Sequence, residues 1–283
     1  MPERYILRCV AADRIGILAG VMGVLAAQEL NVVESHDFGD PESGVFFIRA
    51  AFEAPTGFQR SDFDAAFESV VQDFCMSWTL RRADEKPRVL VMVSKADHCL
   101  NDLLYRHRRD RLGADIVAIV SNHDDARWLA ERHGVAFDHV PVTPETKPAA
   151  EQRLLDILEA ADAEFVVLAR YMQILSPELT DALSGRCINI HHSFLPSFKG
   201  AKPYHQAYKR GAKLIGATAH YVTSDLDEGP IIAQDVAPVD HRMTPQDFVA
   251  LGRDIEARVL VRAVTDHAEG RVFLNGARTV VFE

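Results

Sequence analysis

From Arg88 onward, short apolar runs alternate with amphipathic stretches, and this rhythm constrains the fold more than any other feature. Arg88–Ser94, Asp115–Val120, His139–Val142, Phe165–Ala169 and Cys187–His191 read as strands. Between the first four, Leu100–Asp110, Asp124–Arg132 and Ala149–Ala160 carry apolar residues at helical spacing. Strands buried on both faces and joined by helices imply a doubly wound, mostly parallel α/β sheet. Ala217–Val222 and Ile231–Val236 add strands, and a capped helix runs from Thr244-Pro245 to about Gly270. A hairpin turning on Asn275-Gly276 ends the chain.

The first 83 residues follow a different pattern. Tyr5–Ala11, Val32–Phe38, Val45–Phe52 and Met76–Arg81 read as strands, with helices over Gly16–Glu29 and from about Ser61. Asp40-Pro41-Glu42-Ser43-Gly44 supplies the hairpin turn, and Phe63, Phe67, Val70, Val71 and Phe74 form the buried stripe of the second helix. The order βαββαβ is ferredoxin-like. The charged segment Ala83-Asp84-Glu85-Lys86-Pro87 separates a domain at 1–83 from one at 87–283.

In an open α/β sheet the ligand lies at the carboxyl ends of the strands. The turn after the first strand, Ser94-Lys95-Ala96-Asp97-His98-Cys99, contains no glycine, which argues against a phosphate cradle there. After Phe165–Ala169 comes Arg170-Tyr171-Met172-Gln173-Ile174-Leu175, readable as core or as the wall of a pocket for a flat heterocycle. Asn189 and His191 are two apart on a strand and share a face. An amide beside an imidazole suits a developing oxyanion, although backbone-bonded buried side chains would satisfy the same pattern. Phe194-Leu195-Pro196 and Lys199-Gly200-Ala201 read as a constrained loop around them. In the acidic loop Thr223–Pro230, Asp227 is the residue expected in the site, with Asp225 and Glu228 expected in solvent.

Charge and cysteine use narrow the setting. A formal net charge of −10 argues against a nucleic-acid partner. No apolar run is long enough to span a bilayer, and Met1-Pro2-Glu3-Arg4-Tyr5 lacks the apolar core of a signal peptide. Cys9, Cys75, Cys99 and Cys187 show no CxxC spacing, and three lie in apolar surroundings, which favours buried free thiols in a reducing cytoplasm. Twelve histidines invite a zinc reading through His191, His192, His205 and His220, but no H-E-x-x-H or comparable spacing exists, and no metal is expected.

Asn189-Ile190-His191-x-Ser193-x-Leu195-Pro196, with His220 and Leu226-Asp227-x-Gly229-Pro230, resembles the folate-dependent formyltransferase family. Ser94-Lys95, His98-Cys99-Leu100, Ala169–Leu175 and the paired His191-His192 resemble its deformylase branch, along essentially the whole chain. Asp13-Arg14-Ile15-Gly16-Ile17 resembles the D-R-x-G-I signature of ACT domains, with Ala12 where many related domains have proline.

The resemblance implies hydrolysis of 10-formyltetrahydrofolate to tetrahydrofolate and formate, with formate supplied to purine synthesis and no cofactor. Asn189, His191 and Asp227 fall on the family's catalytic trio. Met172, Gln173, Ile174, Leu175, Val222, Thr223, Asp225 and Leu226 fall where it holds the pterin ring. Asp13, Arg14 and Gly16 would form an amino-acid effector site, and pairing of ACT edge strands would give a homo-oligomer. The alternatives are transfer of the formyl group to an amine and, in another class, a non-catalytic amino-acid sensor.

Overall fold

The computed structural model describes residues 2–195 and 203–283. Pro196 and Lys199-Gly200-Ala201, expected to constrain a loop at the site, lie outside the described residues. The chain divides into two compact units.

The first unit contains β1 (Glu3–Ala12), α1 (Ile17–Ala27), β2 (Asn31–Asp40), β3 (Val45–Ala54), α2 (Arg60–Phe74) and β4 (Ser77–Arg82), the βαββαβ order expected. Its antiparallel sheet runs β2-β3-β1-β4. Alternation along β1 buries Tyr5, Leu7, Cys9 and Ala11 on one face, against Ile17, Val21 and Leu25 of α1 and Phe63, Phe67 and Val70 of α2. Gly16 opens α1 with φ 99°, a left-handed conformation that a residue with a Cβ adopts only at a cost. Asp13 forms no cap on α1. The Arg14 guanidinium donates to the Asp73 carbonyl at the end of α2 and lies 4.4 Å from the Phe74 ring centroid.

The second unit contains β5 (Arg88–Val93), α3 (His98–Arg108), β6 (Asp115–Ser121), α4 (Arg127–His133), β7 (Ala136–His139), α5 (Lys147–Ala160), β8 (Phe165–Leu168), α6 (Pro177–Ala182), β9 (Cys187–His191), α7 (Pro203–Lys209), β10 (Leu214–Tyr221), β11 (Ile231–Pro238) and α8 (Pro245–Ala268). The sheet order is β11-β10-β9-β8-β5-β6-β7. The strands from β9 to β7 pair in parallel, whereas β10 is antiparallel to both neighbours. The strands step from β5 to β7 on one side, then return to β8 on the other. That reversal opens a crevice at the carboxyl ends of β5 and β8.

Three expectations shift. The strand expected at His139–Val142 is observed earlier, at Ala136–His139; its last ladder bond runs from Val140 N to Ser121 O at 2.8 Å, and the Val140 side chain packs partly buried against the core. The helix expected from Asp124 begins at Arg127, since Asp124 is spent on a turn: its carbonyl accepts from Arg127 N, and its carboxylate accepts from Arg127 Nε. The last residues also divide differently from the expected 87–283 domain. Glu269–Asn275 and Val280–Glu283, which hold all of β12 (Val272–Asn275) and the second half of β13 (Arg278–Val281), belong to the first unit. There Phe273 and Phe282 pack on Phe47, and Asn275 Nδ2 donates to Asp40 at 2.7 Å.

Candidate active site

A cavity of about 700 Å³ opens to solvent in the second unit at the strand ends. Two backbone devices build its walls. Arg170, just past β8, has φ 64°, and Asp227, in the loop after β10, has φ 59°. Non-glycine residues rarely hold such conformations, and functional sites are where they persist. The turn at Arg170 is pinned from β5: Ser94 N donates to Arg170 O at 3.3 Å, and Met172 N to Ser94 Oγ at 3.0 Å. Met172, Gln173, Ile174 and Leu175 then line the cavity, with Met172 and Ile174 exposed to it.

β10 runs antiparallel to β9, so its end lies beside the start of β9, where Val222 N donates to Cys187 O at 2.8 Å. His191 is four residues further, about 13 Å along the strand. The loop therefore folds back, and a left-handed residue at Asp227 turns its carboxylate to His191. Gly229 makes this path available. A Cβ there would sit 1.7 Å from the Tyr221 carbonyl oxygen. Val222, Thr223, Asp225 and Leu226 line the cavity on this side.

The structure brings Asn189, His191 and Asp227 together. His191 Nδ1 lies 3.1 Å from Asp227 Oδ1. A carboxylate only accepts, so Nδ1 carries the proton, and the buried Nε2 has no hydrogen-bond partner among the described residues. Burial opposes ionisation of Asp227, but the hydrogen bond and positive field of His191 outweigh it, and its pKa falls below the ordinary value.

Asn189 faces His220 across the β9–β10 pairing, with Nδ2 3.2 Å from His220 Nε2. His220 Nδ1 lies 2.9 Å from Tyr221 O and must donate to it. The other ring nitrogen then accepts from the Asn189 amide, which leaves one Nδ2–H uncommitted by this bond. Burial lowers the pKa of His220 and keeps the ring neutral. His220 thus orients the amide, a role visible only once the strands are paired.

A second cluster lies beside the trio. Glu256, on α8, is almost fully buried and accepts from Tyr204 OH at 2.8 Å and from His98 Nε2 at 2.9 Å. Arg170 Nε lies 3.3 Å from the same carboxylate. Arg170 Nη1 donates to His192 Nδ1, and the His192 ring stacks on His191 with centroids 5.2 Å apart. Gly252, one turn before Glu256, lets the Tyr204 ring lie against α8, since a Cβ there would come within 2.2 Å of the ring. Nothing in the spacing of Glu256 or Tyr204 announces this cluster, and only the fold of α7 and α8 assembles it.

Among the described residues, the metal-type ligand atoms that converge within 4.8 Å belong to His98, Cys99 and Glu256. The four histidines weighed for zinc do not form such a group, and burial holds the Cys99 thiol well above its ordinary pKa. Cys9, Cys99 and Cys187 are buried free thiols, as expected, and Cys75 is exposed. No helix among the described residues is long and apolar enough to cross a membrane.

The Formyl transferase family model matches residues 87–264. A formyltetrahydrofolate deformylase from Corynebacterium sp. (strain P-1) is 50% identical over 279 residues, covering 98% of each chain. The crystal structure of a formyltetrahydrofolate deformylase from Burkholderia mallei superposes with TM-score 0.96 at 50% identity, covering 100% of both chains. The corresponding structure from Pseudomonas putida gives TM-score 0.95 at 51% identity, covering 99% of this chain and 100% of the other.

Proposed function

Since the chain belongs to the formyl transferase family and, within it, to the formyltetrahydrofolate deformylases, we propose that Asn189, His191 and Asp227 perform its reaction. The enzyme hydrolyses 10-formyltetrahydrofolate to tetrahydrofolate and formate. The observation that carries the assignment is the buried Nε2 of His191, without a hydrogen-bond partner among the described residues, on a ring held by Asp227 and next to an amide fixed by His220.

Water attacks the formyl carbon, and the carbonyl pair becomes an oxyanion. The free Nδ2–H of Asn189 and a protonated His191 Nε2 donate to that oxygen. Asp227, ionised because of its low pKa, accepts the water proton directly or through a proton relay. Collapse breaks the C–N bond, the folate nitrogen takes up the proton, and formate leaves. The pterin ring lies against Met172, Gln173, Ile174 and Leu175, with Val222, Thr223, Asp225 and Leu226 on the other side. Incubation with 10-formyltetrahydrofolate alone tests the reading: formate and tetrahydrofolate appear in equal amounts. Turnover that requires an added amine would overturn it.

We propose that no resident metal takes part, so activity survives chelation. We assign the enzyme to the cytoplasm on its buried thiols, and the released formate to purine synthesis. We read the first unit as an ACT domain. Asp13, Arg14 and Gly16 are its effector residues, tested by calorimetric titration with glycine, methionine and serine. A second copy pairs along the edge strand β2, where Val33 and Phe38 are exposed.

A further inference from the structure

His192 follows the catalytic imidazole directly, yet the reaction as derived gives it no task. Its surroundings are built with care. Arg170 reaches it from the strained turn after β8, and a guanidinium can only donate, so His192 Nδ1 must accept. Its single remaining proton sits on Nε2. Arg170 is in turn paired by charge with the buried carboxylate of Glu256, 3.3 Å from its Nε without a hydrogen bond between them, and Tyr204 and His98 bond that carboxylate from α7 and α3. The His192 ring lies nearly parallel to that of His191, with an interplanar angle of 14°.

We propose that Arg170, held by Glu256, is a positioning residue that fixes His192 as a neutral ring stacked on His191, so that only His191 carries the reaction's proton. The proposal rests on the assignment of His191 as the catalytic imidazole. Two stacked imidazoles with ordinary titration behaviour would compete for one proton. An imidazolium at His192 would then oppose protonation of His191 through like-charge repulsion at close range. The guanidinium removes that competition by occupying the one nitrogen of His192 that could accept the proton. Glu256 compensates the buried guanidinium, which would otherwise stand among imidazoles without a counter-charge.

The charged and titratable groups around His192 come from four elements: Arg170 after β8, His191 on β9, Asp227 after β10 and Glu256 on α8. Burial, then the charges of Arg170 and His191, drive its pKa down to about 4, while Glu256 and Asp227 pull the other way without prevailing. This agrees with the tautomer required by the hydrogen bond.

The test begins with the wild-type enzyme, by imidazole nitrogen NMR, with His192 assigned from His192→Phe. The expected result is an Nε2-protonated ring that stays neutral from about pH 8 to about pH 5. A midpoint near the ordinary histidine value of about 6.5 would overturn the proposal, whatever the activity. The second arm is Arg170→Met, which keeps a stem of similar length and removes both the donor and the charge. His192 then titrates near the ordinary histidine value of about 6.5, and kcat at about pH 5.5 falls about tenfold further below its pH 8 value than in wild type, with KM little changed. The double variant Arg170→Met/His192→Phe, whose stacked ring cannot titrate, regains the wild-type shape of the profile. A profile for Arg170→Met that is lowered equally at every pH, or a double variant as acid-sensitive as the single, refutes the role. If Arg170→Met does not fold, the wild-type NMR result decides alone. Loss of hydrolysis in wild type would instead reject the functional assignment and leave the His192 titration intact.

Discussion

Gly229→Ala is the substitution that best isolates how the loop delivers Asp227. The added methyl would lie 1.7 Å from the Tyr221 carbonyl oxygen, whereas ordinary contact begins at 3.4 Å. The obstacle is backbone, so no side chain can rotate away. Tyr221 is tied into the ladder through its N–H to Pro230 O at 2.9 Å, next to the irregularity in pairing at Ala219/His220. The mobile partner is therefore the loop Val222–Gly229. It must retreat by an ångström or more, and Asp227 moves with it. A misplacement of about 1 Å at a catalytic group costs about a hundredfold in rate, equivalent to about 2.7 kcal/mol on the barrier. The measurement is kcat for release of formate from 10-formyltetrahydrofolate, alongside folate affinity by fluorescence quenching. The expected outcome is a kcat about a hundredfold lower in a folded protein. Folate affinity falls less, because Met172–Leu175 on the other wall is untouched. A kcat within about threefold of wild type would refute the claim that loop geometry, fixed by this close approach, sets the Asp227–His191 distance.

Further outcomes follow from other contacts. Asp227→Asn and His191→Ala retain folate binding and lose turnover, with equilibrium binding and single-turnover rates as the check. Asn189→Ala lowers kcat about a hundred- to a thousandfold, the usual effect of removing one oxyanion donor, and a loss below about tenfold would remove Asn189 from that role. Gly252→Ala displaces the Tyr204 ring and deprives the buried Glu256 of a donor, lowering stability by about 1–3 kcal/mol in denaturant unfolding. Because the folded pKa of Asp227 is depressed, its pairing with His191 contributes stability above the ordinary carboxylate value, and that contribution fades only as pH falls through the lower folded value. The stability difference between wild type and Asp227→Asn therefore shrinks below about pH 3.9; a difference constant with pH would contradict it. Gly23→Ala, on the exposed face of α1 with nothing within 4 Å of the added methyl, stabilises, and the melting temperature rises by a few degrees.

The α/β rhythm was legible because continuous apolar runs such as Val89–Val93 must be buried on both faces. The first unit was legible for the complementary reason, since period-two alternation along β1 leaves one face for a core. The short helices were not. α6 spans six residues and α7 seven, too few turns for a periodic stripe, although Ser176-Pro177 carries a start signal and Ser176 Oγ accepts from Leu179 N. Asn189 and His191 could be paired by strand periodicity, and Asp227 by motif order. The orienting work of His220 depends on register between antiparallel strands, and that of Glu256 on a helix more than sixty residues further along the chain. Neither depends on local sequence. The contact of the Arg14 guanidinium with the Asp73 carbonyl at the end of α2 likewise depends on how the two helices pack.

The return of the last residues to the first unit has a consequence for biosynthesis. Phe47 completes its cluster with Phe273 and Phe282, and Asp40 receives its bond from Asn275. A ribosome that has finished the β4 strand has therefore not yet supplied all the apolar partners of the N-terminal sheet. That sheet waits, partly unclothed, while nearly two hundred residues are made, and closes only when the final strands emerge. Domains that fold strictly in order of synthesis avoid such an interval. Here the N-terminal unit is the first begun and the last finished, and a nascent chain stalled after α8 exposes Phe47 to chaperones and proteases.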